Sequence, residues 1–390
     1  MLRSILGASL AVPLGVTALT FTTPAAACGA VVSPTSVVVQ TQQRVFLSLR
    51  DDGTTQIVIQ LAIPEASEPF GALTPVPDKP TVNPNPVPAE EFFELDMATR
   101  PTVSAADSGG GCGCGSSAVA GDKSGGGVEV VQIVDVGPVT AAVLGATDVS
   151  ALQGWLGDNG FVVPAAHTKI LDAYVGTGKY FLAFKRSSAA GSGATSVGVS
   201  FSVPGDRRGY PLRMSRIGAA ESLGIQVYVA APKTVAPTGS APAGNFETLT
   251  LDDLDPALVS ASYGDAVAKG VSKYSGKAFV IEGVYDPATD WRSHLGTELS
   301  SITDPDQVLA RFSTVIPSAE LTEDVPFDGA APKNVPTGVH AGATPILGPG
   351  RGGDSQRWLY VSVFALAGAA LGLRTLSRKP RRSSLVLERA

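Results

Sequence analysis

The sequence predicts a β-rich α+β fold of antiparallel sheets and hairpins with a few short helices, closed by one C-terminal transmembrane helix. Three observations predict it. Charged residues make up 16% of the 390, below the ~25% of ordinary soluble domains, whereas 44 glycines and 29 prolines exceed their average share. The apolar runs are short and end at turn residues. Finally, the sixteen residues from Trp358 to Leu373 carry no charge.

In chain order, residues 1–27 have the layout of a secretory signal peptide. Arg3 is followed by an apolar run from Ile5 to Phe21 and by Ala25-Ala26-Ala27, small residues that place the cut before Cys28. Pro13 and Pro24 fit removal better than a retained helix. A cysteine there is also a place for lipidation, although Ala25 stands where a lipoprotein signal takes a Leu-like residue.

Residues 28–101 form the N-terminal β-rich part. "QRVFLSLRDDGTTQIVIQLAIP" has two apolar runs split by Asp51-Asp52-Gly53, a hairpin with a left-handed residue at Gly53. "TPVPDKPTVNPNPVP" is too proline-rich for regular structure and predicts an extended surface segment. "FFELD" restarts a helix or a strand. Residues 102–127 form a Gly/Ser-rich linker.

Residues 128–328 form the main α+β part. "VEVVQIVDVGPVTAAVLGA" predicts two strands about Gly137-Pro138. "TDVSALQGWLGDNGF" predicts a helix capped by Asp148, with Val149, Leu152 and Leu156 apolar and Asn159-Gly160 ending it. A short helix in "VPAAHTKILDAYVGTG" and a strand in "KYFLAFK" follow. "VGVSFSVPGDRRGYPLRMSR" predicts two strands about the Gly-Asp-Arg-Arg-Gly turn, and "IQVYVAAP" a strand. "DPALVSASYGDAVAKGVSKYSGKAFVIEGVYD" predicts a helix then a strand, and "DPDQVLARF" a short helix.

Residues 329–356 are rich in Gly, Pro and Ala. As an extended stalk they reach at most about 87 Å. The span lies within residues 357–376. Sixteen helical residues cover about 24 Å of a hydrocarbon core about 30 Å thick, and snorkelling of Arg374 extends the span from Trp358 to Leu376, about 28 Å. Trp358 and Tyr360 suit one interface. Arg374, Arg378, Lys379, Arg381 and Arg382 hold the tail, residues 377–390, on the cytoplasmic side. The chain is therefore expected in a bacterial cell envelope as a single-pass protein, N-terminus outside, with the lipid bilayer as one partner. Gly368 and Gly372 have the spacing of a helix-dimer contact, a candidate homodimer interface. The same tail, with "GPGRGGD" ahead of it, also fits a sorting signal that is cut after export.

The whole-chain charge is −6; setting aside Arg3 and the +6 of residues 357–390 leaves −13 on the segment between. That acidity excludes nucleic acid as a partner, because phosphates require a basic footprint. Cys28, Cys112 and Cys114 are disulfide candidates in an oxidising compartment, with one left over. Cys112 and Cys114 are also weak candidates for a metal or redox site, but their spacing is not that of a zinc set and His167, His294 and His340 are scattered.

Arg207, Arg208, Arg213 and Arg216 form a basic patch able to hold an anionic partner in bidentate fashion, or to pair with the domain's own acids. Asp252, Asp253 and Asp255, and Glu320, Glu323 and Asp324, lack the pattern of a calcium loop and read as solvated faces. His167 has no partnering carboxylate or nucleophile motif and reads as structural. No GxSxG, HExxH or P-loop motif is present, so no catalytic residue and no cofactor is assigned.

The ordered blocks "QRVFLSL", "FGALTPVPDKPTV", "GPVTAAVLGATDVSALQGWLGDNGFVVP", "GYPLRMS" and "RFSTVIPSAELTEDVPF" resemble a bacterial family called domain of unknown function 2330 across most of residues 28–328. The Trp155–Pro164 block is the most specific. The resemblance implies exported, often membrane-tethered proteins and supplies no catalytic residue. Members often carry a second cysteine soon after the first Cys-Gly, where this chain has Val31-Val32-Ser33. These features together lead to an expected non-enzymatic binding or scaffolding ectodomain with an unknown extracytoplasmic partner; the alternatives are an enzyme of unrecognised type or a redox or metal role for the Cys112–Cys114 loop.

Overall fold

The computed structural model describes residues 29–32, 40–65, 70–101, 128–161, 163–175, 180–188, 190–238, 246–332 and 335. The signal segment, the three cysteines, His340, the linker 102–127, nearly all of the stalk and the predicted span from Trp358 to Leu376 lie outside the described residues. Among the described residues no helix is long and apolar enough to cross a membrane. They all belong to one compact unit; a second, residues 106–114 with 344–390, lies wholly outside them.

The elements in order are β1 (Ala30–Val32), β2 (Gln40–Leu49), β3 (Thr54–Ile63), β4 (Gly71–Val76), β5 (Thr81–Val82), β6 (Val87–Pro88), α1 (Ala89–Thr99), β7 (Val128–Val136), β8 (Val139–Ala146), α2 (Val149–Asp158), α3 (Thr168–Asp172), β9 (Tyr180–Arg186), β10 (Thr195–Pro204) and β11 (Gly209–Tyr210). They continue with β12 (Ala219–Ala231), β13 (Val235–Ala236), β14 (Glu247–Leu249), α4 (Pro256–Ala261), α5 (Tyr263–Ser272), β15 (Ala278–Tyr285), α6 (Thr297–Ser301), β16 (Val308–Pro317), β17 (Val325–Pro326) and β18 (Gly329–Ala330).

Two sheets carry the fold. A nine-stranded sheet runs β14-β15-β16-β12-β2-β3-β10-β5, with β6 also on β10, and a five-stranded sheet runs β1-β4-β9-β8-β7. Their facing sides interdigitate in one core that includes Val45, Ile59, Val227, Phe312, Val143, Leu182 and Phe184. On the outer side of the small sheet, α2 and α3 close a second cluster around Leu144, Trp155, Leu156 and Phe181. On the outer side of the large sheet, α1 and α6 close a third around Phe46, Phe92, Leu95, Tyr228 and Trp291. The result is a β-sandwich with a helical layer on each outer face, so the large sheet is buried on both sides at its centre.

Local chemistry explains the elements that the sequence predicts correctly. Gly53 takes φ +79° in the β2–β3 turn, a conformation that costs glycine little. Asp148 accepts a hydrogen bond of 2.7 Å from the Ala151 N–H and so caps α2. "FFELD" resolves to the helix α1, whose Phe92, Leu95 and Thr99 share the buried face.

Other expectations are corrected. The large sheet is mixed and not purely antiparallel, because β12 runs parallel to β2, and β14 to β15. The first part of the proline-rich stretch is the buried strand β4. Among the described residues the β1 pairing ends at Leu73, and Pro75 pairs with Phe181 of β9. The Gly-Asp-Arg-Arg-Gly turn does not close a hairpin: β11 has two residues and pairs with β17, not β10. "DPDQVLARF" is not a helix. Its Asp304–Gln307 turn, closed by the Gln307 N–H on the Asp304 carbonyl at 3.3 Å, leads into β16, and the apolar run fills a strand buried between β15 and β12. The sequence segment read as one helix before β15 is two, α4 and α5.

Removing the cap with Asp148→Ala is expected to lower the unfolding free energy by about 1 kcal/mol. Gly154→Ala, on the exposed face of α2 with nothing within 4 Å of the added carbon, is expected to raise it by about 0.5–1 kcal/mol. Urea unfolding measures both.

Candidate functional site

The described charged groups converge most strongly inside the third core cluster. Arg311 comes from the buried strand β16, Glu282 from its neighbour β15, and Asp96 from the inner face of α1. Their side chains are 5%, 0% and 9% exposed. The Arg311 Nη2 donates to Asp96 Oδ1 at 2.7 Å, and Nη1 donates to the Asp96 carbonyl and to Thr99 Oγ1, each at 3.0 Å. The Arg311 Nε donates to Glu282 Oε2. All three guanidinium nitrogens are therefore partnered, as a buried fork requires.

A second ring of residues fixes the first. Tyr263 at the start of α5 donates its hydroxyl to Glu282 Oε1 at 2.6 Å, and Gln226 of β12 donates to the Phe312 carbonyl at 2.8 Å while its oxygen accepts from Arg311 Nη2 at 3.3 Å. Tyr285 donates to the Thr99 carbonyl at 2.7 Å, so the C-terminal end of α1 is tied to β15. Tyr228, directly opposite Arg311 in the β12–β16 register, lies with its ring 5.6 Å from the guanidinium carbon. Arg100 pairs with the other side of Asp96.

Backbone geometry brings these groups together. The β15–β16 pairing shifts between Ile281 and Gly283, so Glu282 is the extra residue of a bulge beside Arg311. Gly283 is required by close approach: a Cβ there would lie 2.4 Å from the Tyr285 hydroxyl, which crosses over it to reach Thr99.

The electrostatics follow from burial and partners. Burial alone would raise Asp96, but the Arg311, Arg100 and Arg44 charges outweigh it and hold the carboxyl well below the usual carboxylate range. Burial would likewise lower Arg311; Tyr228, Glu282 and Asp96 outweigh it and keep the guanidinium charged. Burial pushes Tyr228 up to about 12, and its hydroxyl has no hydrogen-bond partner. Tyr263 and Tyr285 are raised, first by burial. The cluster is chemically a strut: it holds α1, β15, β16 and β12 together, with Arg311, Glu282 and Asp96 at its centre buried.

The predicted site residues are dispersed. Arg207 pairs with Asp78 at 2.7 Å and Arg208 with Asp206 at 2.5 Å. Arg213 donates to the Thr322 carbonyl at 2.9 Å, and Arg216 is exposed. Arg216 lies close enough to His167 that its charge, after burial, lowers the His167 pKa. The acidic groups also have structural duties. Asp253 closes a capping box with Thr250, and Asp255 caps α4 while pairing with Lys269 at 2.8 Å. Asp324 accepts from Tyr174, and Glu323, expected on a solvated face, is buried and pairs with Lys277 at 2.6 Å. Among the described residues no three acidic, His or Cys side chains converge as metal ligands. Cys112 and Cys114 lie outside the described residues.

The sequence reading missed Asp96, Glu282 and Arg311. The available signal was a single charge inside an apolar run: "FFELDM", "FVIEGVY" and "VLARFSTVIP".

Residues 22–274 match the family described as "Uncharacterized protein conserved in bacteria (DUF2330)", and the chain belongs to that family. No curated protein and no solved structure matches it.

Arg311→Met is expected to lower the unfolding free energy by about 3–5 kcal/mol, because it leaves buried Glu282 without its cation and Asp96 with only the part-exposed Arg100. Tyr228→Phe, which deletes only an unpartnered hydroxyl, should change it by less than about 1 kcal/mol. The pH profile has two limbs. The Asp96 carboxyl is depressed, so its stabilisation is full above about pH 4 and fades as pH falls toward its folded value. The Tyr228 hydroxyl is raised, so its share is full below about pH 10 and is lost as pH rises through about 12; Tyr228→Phe is expected to soften that alkaline limb in urea unfolding at stepped pH.

Proposed function

We propose that this family member is an exported, membrane-anchored protein of the bacterial cell envelope whose β-rich ectodomain is a non-enzymatic binding or scaffolding module. One observation carries the choice of a scaffold over a catalyst. The cluster in which acids, a cation and tyrosines converge is enclosed in the core with its polar groups turned on one another, and it bolts α1 to the centre of the large sheet. A catalytic constellation needs such groups directed at a substrate; here they fix the relative position of four elements. A rigid sandwich held off the bilayer by an extended stalk is a suitable platform for presenting a surface.

The location rests on the sequence: the n-region, apolar run and small residues ahead of Cys28, and the uncharged run from Trp358 followed by five cations.

Fractionation of cells tests it directly. The chain is expected in the membrane fraction, protease added from outside is expected to digest the folded part, and deletion of residues 357–390 should release the remainder in soluble form. A chain that stays in the cytosol and resists external protease would overturn the proposal.

A further inference from the structure

The two sheets end in four edges, and three of these are short. β1 and β14 have three residues each and β5 has two. The fourth, β7, has nine, pairs only with β8 among the described residues, and contains neither proline nor lysine. Short strands, prolines and lysines are the usual protections of a sheet edge. β7 has one protective bulge, between Val130 and Gln132.

Its side chains are also unusual. Val130 is 37% exposed and Ile133 is 65% exposed, two of the four large apolar side chains exposed among the described residues. Both lie on the helix-bearing face of the small sheet, opposite Leu144 and Ala142. Glu129 and Asp135 are exposed near the two ends, about 20 Å apart along the strand. Among the described residues the edge therefore offers unpaired backbone donors and acceptors, an apolar middle and an acid at each end.

Charge selects the occupant. Glu129 and Asp135 stand on opposite faces of β7, because their partners Gly145 and Thr140 are five residues apart on β8, so each acid calls for a cation on its own face. The −13 carried between the signal and the tail opposes self-association more generally. We propose that β7 is a strand-addition site for an extended segment of a partner protein, with Lys or Arg meeting Glu129 and Asp135 and apolar residues covering Val130 and Ile133. This rests on the reading of the ectodomain as a binding module and names the chemistry of its partner.

The probe is an end-blocked nine-residue peptide alternating valine and threonine with two lysines five positions apart, on opposite faces of the strand as Glu129 and Asp135 are, added to the purified full-length chain. A second peptide carries glutamates in place of the lysines. The lysine peptide is expected to slow backbone amide exchange within residues 128–136, to bind at least about tenfold more tightly than the glutamate peptide, and to weaken as salt rises. Ile133→Asp, exposed enough to leave the fold intact by circular dichroism, is expected to weaken it by at least about fivefold. Glu129→Lys is the second variant and should weaken the lysine peptide while improving the glutamate peptide. Equal binding of the two peptides, or no slowing in β7, overturns the proposal. So does protection of β7 that grows with chain concentration without peptide, which assigns the edge to a second copy, or protection lost on deleting residues 102–127, which assigns it to the chain's own linker. A chain found at the outer face that ignores the peptides overturns this inference and leaves the envelope reading standing.

Discussion

Arg311 carries a permanent charge on a strand buried from both sides, and the arrangement around it follows from the cost of keeping it there. Moving an ion out of water costs several kcal/mol even after the protein relaxes, so the guanidinium must be met on every nitrogen. The partners that meet it come from three different parts of the chain: Asp96 and Thr99 from α1, Glu282 from β15 and Gln226 from β12. Each is placed by a local device. The bulge brings Glu282 alongside, the absence of a side chain at Gly283 lets Tyr285 cross to α1, and the helical spacing of Phe92, Leu95 and Thr99 turns Asp96 inward. The net gain over a well-packed apolar cluster can be small. What the cluster supplies is register, since a slip of α1 or β16 by one residue would leave charges in the core without partners.

The same logic is repeated at lower charge elsewhere. Glu91 accepts from the Glu298 and Leu299 N–H groups at 3.1 and 2.8 Å, so α1 also caps α6. Gln307 accepts from Ser48 at 3.1 Å and donates to the Leu49 carbonyl at 2.5 Å, tying the start of β16 to the end of β2. Ser215 donates to Gln43, which in turn donates to the Gly29 carbonyl at 3.2 Å and holds the first described residue on the core. These contacts span up to 259 residues of sequence and link early strands to late ones. Backbone ladders place β2 and β3 between β12 and β10 in the same sheet.

Local signals were legible in the sequence and long-range ones were not. The hairpin at Gly53, the strands about Gly137, the capped helix after Asp148 and the strand at "KYFLAFK" could be read because turn and cap chemistry acts over four or five residues. β16 was misread because Asp304 and Asp306 before "VLARF" resemble a helix start, and because a doubly buried strand has no alternating pattern to distinguish it. β4 was hidden by its proline, which reads as a strand breaker although Pro75 pairs with Phe181 in the β4–β9 ladder. The parallel pairing of β12 with β2 depends on strands about 180 residues apart and has no local signature. At the site, the arginine patch was conspicuous because its residues are close in sequence. Arg311, Glu282 and Asp96 were each isolated in an apolar run, and only the fold shows that the three isolated charges are one cluster.

The contrast between the two charged features bears on how the molecule works as a surface. Inside, opposite charges meet at 9% exposure or less and fix one arrangement of the elements. At β7 the acids are exposed, and among the described residues no strand pairs with its outer side, where they flank exposed apolar residues. An edge guarded by acids repels copies of an acidic chain, which limits edge-to-edge aggregation, yet the same acids attract a cationic strand. Among the described residues, β8 and β9 behind it are what hold β7 in register. An edge held this way loses little conformational freedom when a strand adds, so pairing energy is not consumed in ordering the receptor.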